Sequence, residues 1–103
     1  MSTDFRKLTL VCPIAMGEQV VEFLLDLDTP LHGFTTFSAD GHGQDFAGTS
    51  VKEKVRGRVA RKVVMAILPA TEVGGLLAEI REQFTSPHMV YWTEPVSELG
   101  DFA

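Results

Sequence analysis

Two groups of residues with chemical potential flank a single loop. At its start stand Gly41, His42, Gly43 and Gln44. At its end a cationic block runs Val51-Lys52-Glu53-Lys54-Val55-Arg56-Gly57-Arg58-Val59-Ala60-Arg61-Lys62. Six of the nine Lys and Arg residues lie in that block, although the whole chain carries a net charge of −5. Gly41, Gly43 and Gly48 let the backbone take positive φ and approach a ligand closely. Successive N–H groups in such a turn form a concavity that binds anions. In an extended strand Arg56, Arg58 and Lys62 project together, while Arg61 points the other way. Guanidinium forks grip carboxylate or phosphate in bidentate fashion. The pattern points to an effector bearing phosphate or carboxylate, held by Gly41, His42, Gly43, Gln44, Arg56, Arg58 and Lys62. A solvated charged stretch, or one paired with acidic helix faces of a neighbouring subunit, accounts for the same residues without a ligand.

His42 is also a candidate metal ligand, since an imidazole between two glycines on a loop is easily offered to a divalent ion. Such a site would bridge subunits. His88 or His32 of a neighbouring copy could join it, but the chain has neither a Cys-x-x-Cys nor a His-x-x-x-His spacing, so no preformed zinc site is expected. Cys12, in an apolar run, reads as a small core residue. No Ser-His-Asp arrangement, paired-carboxylate motif or phosphate-binding loop of the Walker type is visible, and an enzyme is not expected.

The elements that position these residues follow from periodicity. The 103 residues bound the chain to one domain, spanning 1–103, with the loop at about 40–57. Lys7 to Pro13 reads as a strand. Gly17 to Leu27 reads as a helix, with Val20, Phe23, Leu24 and Leu27 on one face. Gly33 to Ala39 is a second strand and Arg58 to Leu68 a third. Thr71 fits a helix N-cap, and Val73, Leu76, Leu77, Ile80 and Phe84 form one face of the helix that follows. Gly74-Gly75 weakens that helix and suggests close approach of another backbone. His88 to Thr93 is a fourth strand. Ser50-Val51-Lys52-Glu53 is a capping-box pattern that could start a short helix inside the loop. The order βαββαβ predicts an α+β, ferredoxin-like sandwich: a four-stranded antiparallel sheet with both helices on one face.

The strands are apolar on both faces. Val63 to Leu68 is unbroken, and Tyr91 and Trp92 point oppositely. Two helices cover one face, so self-association is expected to cover the other. Coverage by the tail residues Val96, Leu99 and Phe102 is the alternative.

The acidic balance excludes bulk nucleic-acid binding, which needs a cationic surface. One cysteine rules out an internal disulfide. The absence of a leader-like start or a long apolar run points to a cytoplasmic protein.

The stretch Gly33-Phe34-Thr35-Thr36-Phe37 leading to Gly41-His42-Gly43-Gln44 resembles the second strand and loop opening of the PII-like signalling superfamily. Arg58 to Leu68 resembles its third strand, and Tyr91-Trp92-Thr93-Glu94-Pro95-Val96 the ending of its fourth. Within the superfamily the chain is most similar to a small bacterial family associated with heavy-metal efflux genes. The resemblance implies a homotrimer with its sheets facing the centre. It implies effector sites between subunits and a T-loop that rearranges on binding and contacts partner proteins, commonly membrane transporters. The cofactor is left open between a nucleotide, another small anion and a divalent metal. The turn Gln83-Phe84-Thr85-Ser86-Pro87-His88 departs from the pattern. It carries neither the glycine nor the basic residues that cradle phosphates in nucleotide-binding members, which argues against ATP or ADP.

Overall fold

The computed structural model describes residues 4–27, 31, 33–42 and 59–103. Strand β1 spans Phe5–Pro13, and a short 3-10 turn over Ile14–Met16 leads into helix α1, Gly17–Leu25. Strand β2 is Thr35–Gly41, β3 is Val59–Pro69, helix α2 is Ala70–Gln83 and β4 is Val90–Val96. The sheet order is β2-β3-β1-β4 with every neighbouring pair antiparallel. This is the ferredoxin-like α+β arrangement expected from the element order.

Register fixes which residues face the helices. Leu8 pairs with Ala66, Leu10 with Val64 and Cys12 with Lys62 across β1 and β3. Leu8, Leu10, Cys12, Val64 and Leu68 join Val20 and Leu24 of α1 and Val73, Leu76 and Ile80 of α2 in one buried cluster. Phe23 and Phe84 meet edge-on at 5.6 Å, tying α1 to the end of α2. The cluster is small, and a leucine within it contributes about 2–5 kcal/mol relative to alanine.

Several boundaries differ from the sequence expectation, each for a local reason. Helix α1 stops at Leu25, where the Asp26 N–H turns back to the carbonyls of Glu22 and Phe23. Thr71 is not the cap of α2. Strand β3 runs directly into the helix through Pro69, and Thr71 lies inside the first turn. The Ala70 N–H instead donates to the Asp4 carbonyl at 2.8 Å. Strand β4 begins at Val90 rather than His88, because the turn before it uses those residues. The His88 N–H donates to Ser86 Oγ at 3.1 Å and the Met89 N–H to the Ser86 carbonyl at 3.3 Å. The strand continues through Pro95, which an edge strand tolerates. Gly33 enters β2 at φ +128°, a conformation that favours glycine.

The opposite face carries Phe37 from β2, Val63, Met65 and Ile67 from β3, Thr9 and Val11 from β1, and Val90 and Trp92 from β4. Phe37, Ile67 and Trp92 are 45%, 40% and 47% exposed. The tail does not cover them, since Leu99 is itself half exposed and Phe102 fully so. Tyr91 pairs with Leu10 on the helix side, opposite in sense to Trp92.

Gly74 and Gly75 are both exposed, and a Cβ added at either meets nothing within 4 Å. Among the described residues no backbone approaches them closely, unlike the sequence reading. Alanine at Gly74 or Gly75 is therefore expected to stabilise the fold by about 0.5–1 kcal/mol per site. Chemical denaturation midpoints at constant m-value would read the gain, and a loss of stability would show that each glycine meets a surface outside its own chain.

Candidate functional site

The β2–β3 loop leaves the sheet at the end where β1 passes into α1. Gly41 pairs with Val59, Ala39 with Arg61 and Ser38 with Lys62, while Pro13 and Cys12 lie across from Arg61 and Lys62 on β1. His42 is exposed, immediately past the last residue of β2. Gly43, Gln44, Arg56 and Arg58 lie outside the described residues, as do His32 and the Ser50–Glu53 capping pattern. Of the expected effector residues, the structure thus places Gly41, His42 and Lys62.

These three share one end of the molecule but not one point. Lys62 lies level with Ser38, four residues before His42, which is about 13 Å along the strand. The side chain of Lys62 faces the helices. A Cβ on Gly17 would sit 3.0 Å from Lys62 Cβ and 3.3 Å from its Cε. Glycine at position 17 thus lets the lysine stem lie along the first turn of α1. The Gly17 N–H at that turn is already donated to the Ile14 carbonyl of the preceding 3-10 turn, so the positive charge there is that of Lys62. Asp40 shares the same sheet face and moderates the positive field. Gly17 is the residue that reading the sequence overlooked. Its only signal there was a glycine at the start of a helical period, where a cap is the commoner reading.

Consecutive residues of β3 do different work. Arg61 points to the opposite face from Lys62, as alternation requires, and is 2% exposed. Cys12 is fully buried, and its thiol donates to the Lys62 carbonyl at 3.7 Å. Burial pushes the Cys12 thiol above its ordinary value of 9.0, against a smaller opposing pull from the charges of Arg61 and Lys62. The thiol is a protonated core group rather than a nucleophile. Among the described residues no group of three or more His, Cys, Asp or Glu side chains could hold a metal ion. A metal on His42 would need ligands from beyond those residues.

A second feature lies along the far edge of the sheet, between α2 and β4. A cavity of about 530 Å³ is lined by Leu77, Ile80, Phe84 and Met89, with Arg81 and Tyr91 at its rim. Arg81 Nη2 donates to the Tyr91 hydroxyl at 2.8 Å, and the guanidinium carbon lies 5.6 Å from the Tyr91 ring centroid. Arg81, the one basic residue of α2, was its only trace in the sequence. Among the described residues no helix is long and apolar enough to cross a membrane.

The raised Cys12 value has a consequence for stability. The native state holds the thiol proton to higher pH than the unfolded chain does. Its stabilising contribution is full below the unfolded value and is lost as pH rises through the folded value. Stability should therefore decline above about pH 9, and Cys12→Ala should flatten that decline. Denaturation midpoints across pH 7 to 10.5 would test this. An unchanged slope in the variant would assign the loss to other groups. The native thiol should also resist alkylation at pH 8 and react on unfolding.

No curated protein matches the chain in sequence. Among solved structures, it is similar to a DUF3240 family protein from Shewanella baltica OS155, with a TM-score of 0.76 at 20% identity over 100% of both chains. It is also similar to a Bacillus cereus protein related to NIF3, with a TM-score of 0.62 at 21% identity. That likeness covers 98% of this chain and 27% of the other. At these identities the likeness is one of fold. The model of the family described as "Protein of unknown function (DUF3240)" matches residues 1–103, and the chain belongs to that family.

Proposed function

We propose that this protein is a homo-oligomeric regulator of the PII-like kind, whose β2–β3 loop senses a small effector and thereby changes the binding of a partner protein. The partner class that fits the resemblance is a membrane transporter or metal-efflux system, met from the cytoplasm. The observation that carries the reading is the uncovered sheet face. It presents Phe37, Ile67, Val90 and Trp92 at 40–49% exposure around a centre that is already closed. Thr9 at that centre is 4% exposed, and its hydroxyl makes no hydrogen bond.

Among the described residues the charges on this face are Lys7, Arg61 and Glu94, and Arg61 is only 2% exposed. Lys7 Nζ lies 3.9 Å from Glu94, and the Trp92 indole N–H donates to Glu94 at 3.0 Å. An apolar centre depleted of unpaired charge is what a stable interface between copies needs. Three copies around an axis is the arrangement that the family resemblance favours. Each then presents its loop at the same end, beside Lys62 and the amino end of α1. That end supports an anionic effector. The metal reading rests on His42 alone and requires a neighbour's ligands.

Light scattering should give a multiple of 11.3 kDa, with three copies expected. Ile67→Asp buries a charge in the face and should release folded monomer, with circular dichroism unchanged. A wild-type mass of 11.3 kDa would remove the reading.

Effector binding is checked by calorimetry with adenine nucleotides, cyclic nucleotides and bicarbonate. One of these should bind at least tenfold more weakly to Lys62→Ala, a loss of about 1.4 kcal/mol. Absence of heat from all three would count against an anionic effector. Zn²⁺ binding lost in His42→Ala would favour the metal instead.

A further inference from the structure

Beyond the open face, the cavity between α2 and β4 leaves an apolar surface unfilled. Its volume of about 530 Å³ falls in the range of sites that hold a ligand or a pair of side chains. Leu77, Ile80, Phe84 and Met89 form its apolar wall. Arg81 brings the charge. It spends one donor on Tyr91, and a guanidinium has five. Among the described residues no carboxylate lies within ion-pair distance of it. The cavity therefore suits an apolar group with an acid beside it.

The same chain carries a segment of that chemistry. Residues 97–103 read Ser-Glu-Leu-Gly-Asp-Phe-Ala, with two acids, no base and two exposed apolar side chains, Leu99 and Phe102. Asp101 Oδ1 accepts the Ala103 N–H at 3.0 Å, which leaves its second oxygen for a partner. We propose that the 97–103 tail of a second copy docks in this cavity, with Phe102 against the Leu77–Phe84 wall and Asp101 paired to Arg81.

A chain's own tail falls short. The cavity adjoins Val90 and Tyr91 at the start of β4, and the tail leaves from Val96 at its end. Six strand steps separate them, about 20 Å. After a reversal at Ser97-Glu98, residues 99–102 return only about 10 Å. The contact must come from another copy, so it rests on the self-association proposed above and adds a second, peripheral joint to it.

Isotope-labelled wild-type protein refolded together with unlabelled copies bearing a nitroxide at Ala103→Cys provides the test. The labelling reaction is run on native protein, where Cys12 is buried. The methyl signals of Leu77, Ile80 and Met89 should broaden in the mixed sample. Arg81→Glu in the labelled copy should abolish the broadening, and adding Asp101→Arg on the nitroxide-bearing tail should restore it. Absence of broadening in an oligomer of confirmed mass overturns tail docking and leaves self-association standing, whereas an 11.3 kDa mass overturns both. Broadening confined to a doubly labelled copy diluted in unlabelled excess assigns the cavity to the chain's own tail. Shifts of the same methyls on adding phenylacetate, without tail broadening, make it a small-acid site. Either result displaces the proposal.

Discussion

Two helices cover one face of a four-stranded sheet, and the central strands β1 and β3 are apolar on both faces. Every other feature of the molecule is arranged around that mismatch. On the helix side Leu8, Leu10, Val64 and Leu68 find α1 and α2. Among the described residues the other side sets Val63, Met65, Ile67 and Val11 beside the buried Thr9 and Arg61 and the edge residues Phe37, Val90 and Trp92. Apolar surface of this kind is worth about 25 cal/mol per Å² when removed from water. A domain of about 100 residues has few other sources of stability. The pressure to cover the face is consequently large relative to the stability of one chain, and the proposed oligomer is its direct expression.

The same strand carries the loop, the core and the free face. Lys62 packs toward Gly17 on the helix side, Arg61 turns to the other face, and the residues before Val59 belong to the loop. In the proposed switch, a small sliding or twist of β3 would register in all three places. This is what a switch needs: a ligand shifts an equilibrium only through contacts that differ between two states. Cys12, buried beside the Lys62 carbonyl, holds β1 to β3 near the loop end of that strand pair.

The alternation of β1 and β3, the two helical periods and the element order were all legible in the sequence, because each is a local pattern with a fixed period. The face assignment of Arg61 and Lys62 followed from the same period. Boundaries were less legible. The start of β4 depended on Ser86, whose side chain and carbonyl draw His88 and Met89 into a turn. The start of α2 depended on Asp4, more than 60 residues away. Glycines 74 and 75 misled because a small residue reads as close packing whether or not anything packs there. The candidate site was legible in part. That Gly41 and Lys62 flank one loop could be read from the sequence, but the separation along the strand between Lys62 and His42 follows from pairing register, which no single strand encodes. Arg81 and Tyr91 stand ten residues apart and meet only because α2 returns along β4.

Edge chemistry decides how such a domain can associate. Strand β2 presents Thr35, Thr36, Ser38 and Asp40, and β4 places Glu94 and Pro95 near its end. Polar, charged and proline residues are the usual means of preventing strand-to-strand extension. Growth of the sheet by edge pairing is thus discouraged on both sides, while the flat face stays apolar. In the proposed oligomer, association is directed to the face, where closed symmetry would end it after a few copies. In that arrangement the α2–β4 cavity would lie away from the joined faces, open to the segment proposed to enter it.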